Sequence, residues 1–158
     1  MSAIRLATVA DAAAIAAMSR DEIEQGLPWS WTESRVAGAI RNADTNVAVA
    51  GERGALAGFG IMAYREDVAH LLLFSVRPGH RRQGLGTELL RWLEAVAIDA
   101  GVQRVTIECR RDNVPARNFY AEFGYYELAI TKGYYRGVED AIRLEKWLFE
   151  PTDNRDSP

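Results

Sequence analysis

Apolar residues recur along this chain with two periods, and the change from one to the other marks its elements. Between Asn46 and Val76 they crowd into runs that read as strands: Asn46–Ala50, Ala55–Arg65 and Val68–Val76. Gly51-Glu-Arg-Gly54 joins the first two as a hairpin, its glycines supplying positive φ. The third contains Leu71-Leu-Leu-Phe74, apolar at every position, which predicts burial on both faces at the centre of a sheet. Elsewhere the spacing is three and four. Leu85, Leu89, Leu93, Val96 and Ala100 form one stripe of a helix over Gly84–Ala100, stopped by Gly101. Thr8 or Asp11 caps an Ala-rich helix reaching about Gln25, with Ile15, Met18 and Ile23 turned inward. Thr32 caps a second, Glu33 to about Arg41, whose Val36 and Ile40 share a face. Gly26-Leu-Pro-Trp-Ser-Trp31 between them is a loop, broken by Gly26 and Pro28. Ile4–Ala7 and Arg104–Cys109 are strand candidates, Pro115–Phe123 is a short helix closed by Gly124, and Tyr125–Ile130 with Ala141–Trp147 is a final strand pair. The order is that of an α/β (α+β layered) domain, a mixed sheet with helices on its faces.

Composition narrows the class. A chain of 158 residues with 48% apolar and 26% charged residues is one globular domain of ordinary size. That domain is expected over residues 1–149, with 150–158 a polar, frayed tail. No apolar run approaches the roughly 20 residues of a membrane-spanning helix, and the first residues lack a signal peptide's apolar stretch. With a single cysteine there is no internal disulfide, so the expected location is the cytoplasm. Two histidines and one cysteine, widely scattered, make no recognisable metal site. A net charge of −3 argues against nucleic acid as the main ligand.

Two segments carry candidate chemistry. Val76-Arg-Pro-Gly-His-Arg-Arg-Gln-Gly-Leu-Gly-Thr87 runs from the apolar strand into the start of the long helix. A helix start offers unpaired N–H groups and the positive end of the dipole, a ready anion site. Gly84 and Gly86 permit close backbone approach, and Arg81 and Arg82 add positive charge. The phosphate-loop and dinucleotide fingerprints are both absent. Read alone, the segment is equally a helix that begins with Gly-x-Gly beside solvated arginines. In the second segment, strand alternation puts Val105, Ile107 and Cys109 on one face and Thr106, Glu108 and Arg110 on the other. Glu108 by itself reads as a solvated carboxylate. In the following helix Ala116, Phe119 and Phe123 share a stripe, with Tyr120 at its edge, where a tyrosine ordinarily packs with a wet hydroxyl.

Together the two segments resemble the GNAT superfamily of N-acetyltransferases. Arg81-Arg-Gln-Gly84-Leu-Gly86 is similar to its coenzyme motif, and Asn113 before the Ala116…Phe119-Tyr120 helix is similar to its second motif. The likeness runs over about residues 3–147. It implies a centrally splayed mixed sheet of six or seven strands with helices on both faces. It also implies acetyl-CoA as cosubstrate and a primary amine as acceptor. Phe74, Ser75 and Val76 would then pair with the pantetheine arm. Arg81, Arg82, Gln83, Gly84, Leu85, Gly86 and Thr87 would hold the pyrophosphate, and Asn113 would belong to the same site. Within the superfamily the chain is most similar to the bacterial ribosomal-protein N-terminal alanine acetyltransferases. There a strand-end Glu acts as base and a helix Tyr as acid, positions matched by Ile107-Glu108-Cys-Arg110 and Tyr120. The stretch Gly133-Tyr-Tyr135-Arg-Gly-Val-Glu-Asp140-Ala resembles that group too, whereas the loop after Gly26 keeps only its Pro28-Trp29-Ser30 core. Trp29, Trp31, Tyr134 and Tyr135 are candidate acceptor-site aromatics, or equally surface loops folded onto the core. Cys109 as an acyl-carrying nucleophile is discounted, because alternation turns it away from Glu108. The alternatives are a GNAT protein acting on a small-molecule amine and a non-catalytic acyl-CoA-binding module; the expected assembly is a monomer or homodimer.

Overall fold

A computed structural model describes residues 4–80, 84–135 and 139–149; Arg81, Arg82, Gln83 and the tail 150–158 lie outside them. Seven strands form one sheet: β1 Ile4–Leu6, β2 Thr45–Glu52, β3 Ala55–Arg65, β4 Val68–Val76, β5 Arg104–Arg110, β6 Tyr126–Tyr135 and β7 Glu139–Trp147. Their spatial order is β1-β2-β3-β4-β5-β7-β6. Every pairing is antiparallel except β4–β5, whose parallel crossover runs through the long helix after β4. Four α-helices complete the fold: α1 Ala12–Met18, α2 Glu33–Arg41, α3 Leu85–Asp99 and α4 Val114–Glu122.

Local chemistry fixes the helix ends. The Thr32 hydroxyl accepts the Arg35 amide and starts α2, and Asn113 accepts the Ala116 amide and starts α4. Before α1 a single 3-10 turn, Val9–Asp11, is held by the Thr8 amide donating to the Asp11 carboxylate at 2.8 Å. After α1 the chain widens into a π-helical turn, Ser19–Ile23, before Gly26 at φ 80° breaks it.

Two apolar layers sandwich the sheet. On one face α3 and α4 cover Met62, Ala69, Leu71, Val105 and Ile107; on the other, α1 and α2 cover Val47, Val49, Phe59, Ile61 and Leu73. Leu71 and Leu73 therefore face opposite ways, although two residues apart on a strand they should share a face. The register explains it. Met62 pairs with Leu71 and Ile61 with Leu73, so Leu72 is an extra residue, a β-bulge. Burial on both faces holds for Leu71 and Leu73 but not for Leu72, which is 44% exposed.

The buried stripe of α3 also departs from a strict heptad. Leu85, Leu89 and Leu93 are buried as expected, but Leu90 and Ala97 complete the stripe, while Val96 is half-buried and Ala100 exposed. At 3.6 residues per turn the buried residues Leu85, Leu89, Leu90 and Ala97 centre on Leu93, which leaves Val96 toward one edge of the face. α3 lies close against β3: a Cβ on Gly60 would come within 2.6 Å of Leu93. Glu94, buried on α3, is satisfied by the Tyr125 hydroxyl and the Lys146 ammonium, each at 2.8 Å.

Candidate functional site

The bulge at Leu72 coincides with a second event. β4 and β5 pair over four positions, from Val68↔Arg104 to Leu71↔Ile107, and there the ladder ends. A bulge bends its strand and sharpens the twist, and past it the two parallel strands separate. Residues 72–76 keep β3 on one edge, through Ile61↔Leu73, Gly60↔Phe74, Phe59↔Ser75 and Gly58↔Val76. On the other edge they have no ladder with β5. A slot thus opens in the middle of the sheet.

On the α3/α4 side the slot is bordered by the end of β4, the start of α3 and the body of α4. Gly84 takes the left-handed conformation at φ 75° and caps α3. The first helical bond runs from the Glu88 amide to the Gly84 carbonyl, so the amides of Leu85, Gly86 and Thr87 have no intrahelical acceptor. Leu85 is anchored in the core at 2% exposure. Gly86 faces the end of β4 and α4: a Cβ there would meet the Phe119 ring at 3.5 Å and a Val76 methyl at 3.6 Å. Ser75 and Val76 are buried. Phe74 stacks on Phe119 with ring centroids 5.8 Å apart, and Tyr120 meets both edge-on, at 6.2 and 5.5 Å. The helix stripe read from the sequence is corrected here: Tyr120 is the buried residue of α4, and Ala116, Phe119 and Phe123 are half-buried around it. Asn113 caps α4 through the Ala116 amide. Thr87 lines a separate hollow of about 390 Å³ with Arg91, Glu122 and Phe123.

On the opposite side lies a larger cavity of about 970 Å³. Its floor is His70 and Leu72 from β4 and Thr106 and Glu108 from β5. Glu108 is exposed, on the face away from Ile107 and Cys109, as strand alternation requires. The Tyr134 hydroxyl is hydrogen-bonded to Glu108, and that bond, with partial burial, pushes the Tyr134 phenol up to about 12. Tyr135 closes β6 opposite Glu139.

Trp31 stands in the cavity wall, and the Arg35 guanidinium lies 3.8 Å over its ring. Trp29 is outside that lining, 43% exposed, with Arg20 5.4 Å over it. This wall is held from below by Glu24. Its buried carboxylate accepts the Ser30 amide and hydroxyl, each at 2.7 Å, the Ser19 hydroxyl at 2.9 Å and the Trp31 amide at 3.3 Å. Burial favours the protonated acid, but these donors together outweigh it and hold Glu24 below the usual carboxylate range. Arg110 donates to the Gln25 carbonyl at 2.6 Å and ties the same wall to β5.

Glu108 and Tyr120 therefore lie on opposite faces of the sheet, with the slot between them. Cys109 packs in the α3-side core, where burial pushes its thiol up to about 11, a poor nucleophile at neutral pH. Among the lining residues that the sequence did not single out are His70 and Glu24. His70 had a signal, since it shares strand parity with Leu72; Glu24 had none, because its partners are assembled only by the turn after α1. Among the described residues no three His, Cys, Asp or Glu side chains gather as metal ligands, and no helix is long and apolar enough to cross a membrane.

A family model described as the acetyltransferase (GNAT) family matches residues 13–125. The chain is 36% identical over 94 residues to the ribosomal protein bS18-alanine N-acetyltransferase of Escherichia coli (strain K12). That alignment covers 58% of this chain and 64% of the relative, so the match spans a little under two thirds of the relative's length. The crystal structure of the ribosomal-protein-S18-alanine N-acetyltransferase from Escherichia coli has a TM-score of 0.78 at 30% identity, covering 98% of each chain. The PaiA N-acetyltransferase from Thermoplasma acidophilum, solved in complex with coenzyme A, has a TM-score of 0.79. At 18% identity, over 93% of this chain and 99% of that one, it shares the fold.

Proposed function

This chain belongs to the acetyltransferase (GNAT) family, and we propose that it moves the acetyl group of acetyl-CoA to a primary amine, its acceptor being the N-terminal α-amine of a protein. One observation supports this reading above the others. A single slot joins a helix start suited to phosphate on one face to a cavity floored by a carboxylate on the other.

In this reading acetyl-CoA supplies an activated thioester. The amides of Leu85, Gly86 and Thr87, with Arg81, Arg82 and Gln83, hold its pyrophosphate at the start of α3. The β5-facing edge of Phe74, Ser75 and Val76 pairs with the pantetheine arm, and Asn113 shapes the same side by capping α4. These contacts supply placement and oxyanion stabilisation, the largest generic contributions in acyl transfer. The amine enters from the larger cavity, where Glu108 takes its proton directly or through water. Tyr120, on the far side of the slot, returns a proton to the departing sulfur. Trp31 and Tyr134 line the acceptor's approach; Trp29 and Tyr135 flank it.

The α-amine is favoured on energetic grounds. At pH 7.4 deprotonating a lysine costs about 4 kcal/mol, and an N-terminal amine only about 0.5 kcal/mol, the smaller task for a carboxylate base. The resemblance to the bS18-alanine acetyltransferases points the same way. A small-molecule amine is the second reading, favoured by the cavity itself, since about 970 Å³ lies within the range of small-molecule sites. With this function we propose a cytoplasmic location and a monomer or homodimer.

The test is release of coenzyme thiol over a panel of Ala-, Ser- and Met-initiated peptides, internal-lysine peptides, polyamines and amino acids. Turnover restricted to N-terminal peptides supports the first reading and turnover restricted to free small amines the second. Acetyl-CoA binding without turnover on any amine would leave only the binding-module alternative.

A further inference from the structure

We propose that His70 is a positioning residue for acetyl transfer, one that acts through Glu108 by holding and then receiving the proton that Glu108 takes from the amine. This rests on the role proposed above for Glu108.

The placement follows from the parallel register. His70 pairs with Thr106, and Glu108 is two residues further along β5, on the same face. The two are diagonal neighbours, one strand spacing across and two residues along, about 8 Å between backbones, which long side chains or one water span. Both line the floor of the 970 Å³ cavity. The ring is also oriented: His70 Nδ1 is hydrogen-bonded to the hydroxyl of Thr106, which is buried at 2% exposure. With Nδ1 donating to that hydroxyl, Nε2 carries the lone pair and can accept a proton.

Burial and the charges around the ring weaken it as a base and keep it unprotonated. Burial comes first; then Arg143 on β7, Arg65 on β3 and Arg104 on β5 all oppose a positive imidazole, while Glu108 favours it. The balance holds His70 below an ordinary histidine, so it is neutral at neutral pH and free to take a proton. The transfers balance. The ammonium gives a proton to a Glu108 oxygen, the resulting carboxyl gives it to Nε2, and the imidazolium, disfavoured by three arginines, releases it to water. Glu108 is then again a carboxylate for the next amine.

Two measurements test this. The chain has two histidines, so the imidazole signals of His70 and His80 are separable by NMR, and His70→Asn assigns them. In the apo protein His70 should titrate below 6.5, and Glu108→Gln should lower it further by removing the one favourable charge. In turnover, with whichever amine of the panel the wild type accepts, His70→Asn keeps a partner for Thr106 but no titrating nitrogen. It should lower kcat about tenfold and leave KM for acetyl-CoA unchanged. As pH falls below 6.5, the wild-type log kcat/KM should steepen from a slope of one, set by the amine, to two, while the variant stays at one. A His70 titration unmoved by Glu108→Gln, or a variant with the wild-type pH profile, overturns the proposal. The NMR arm needs no turnover, so failure of the acetyl-transfer reading is distinguishable: no amine would be consumed while the His70–Glu108 coupling persisted.

Discussion

Replacing Tyr120 by Phe removes one oxygen from the proposed acid and almost nothing else. Tyr120 is 5% exposed, and its ring is held edge-on by Phe74, Phe119 and Tyr125 with centroids 6.2, 5.5 and 5.9 Å away. A phenylalanine keeps all three contacts. The stability at stake is that of one hydrogen bond, about 0.5–1.5 kcal/mol, which in a domain of this size moves Tm by a few degrees. The catalytic effect is far larger. Losing a general acid costs about 10²-fold or more, equivalent to about 2.7 kcal/mol at the transition state. The two effects are separable by measuring kcat under saturating acetyl-CoA and amine beside the melting temperature and the coenzyme dissociation constant. The expected variant is folded, binds acetyl-CoA like the wild type, and turns over at 1% or less. A Phe variant within threefold of wild-type kcat would refute the reasoning and leave Tyr120 as packing behind the slot.

On the other face, Glu108→Gln should keep coenzyme affinity and lower kcat/KM for the amine by about 10²–10⁴-fold, the loss shrinking as pH rises and the free amine appears. A loss constant well above the amine's pKa would mean that Glu108 orients the acceptor instead. At the helix start, acetyl-CoA at about 100 times its dissociation constant should stabilise the wild type by about 2.7 kcal/mol, read as a raised Tm. Gly86→Val should abolish that rise with the apo fold retained, because its Cβ makes only ordinary contacts with Phe119 and Val76; a normal ligand response from the variant would count against the site. For acid stability, the Arg5 guanidinium and the Thr8 amide hold Asp11 down to about 2 against burial. A carboxylate lowered from 3.8 stabilises fully above about pH 4, and that contribution drains as pH falls toward 2. Asp11→Asn should therefore be less stable at neutral pH and flatter through that window in denaturant titrations.

How far the sequence carried this depended on whether a pattern had one physical meaning. β3 and β4 run over Ala55–Arg65 and Val68–Val76 as the apolar runs predict, and Thr32 caps α2, because hairpin glycines and a threonine before a polar turn admit few other structures. The last two strands reach further inward than Ile130 and Ala141, to Tyr135 and Glu139. β6 is an edge strand whose residues from Tyr126 to Lys132 are exposed on both faces, so Thr131 and Lys132 give no alternation to follow. Phe119-Tyr120 poses a different ambiguity. Adjacent aromatics lie 100° apart on a helix, and only the docking of α4 decides that the tyrosine goes inward.

The Leu72 bulge was illegible for a sharper reason, and it is also what the site depends on. Where every position from Leu71 to Phe74 is apolar, inserting one residue leaves the pattern unchanged, so no periodicity can reveal it. The insertion nevertheless reverses the faces of everything after it. Leu73 turns to the α1/α2 layer, while Phe74 comes round to the α3/α4 layer and meets Phe119 and Tyr120. Without the extra residue those faces would exchange, and Phe74 would leave the tyrosine. Nor would anything in the register then bend β4 away from β5 after Leu71↔Ile107, and an unbroken sheet would stand between Glu108 and Tyr120. The position that tells a sequence reader least is thus the one where the sheet opens between a carboxylate and a phenol on its opposite faces.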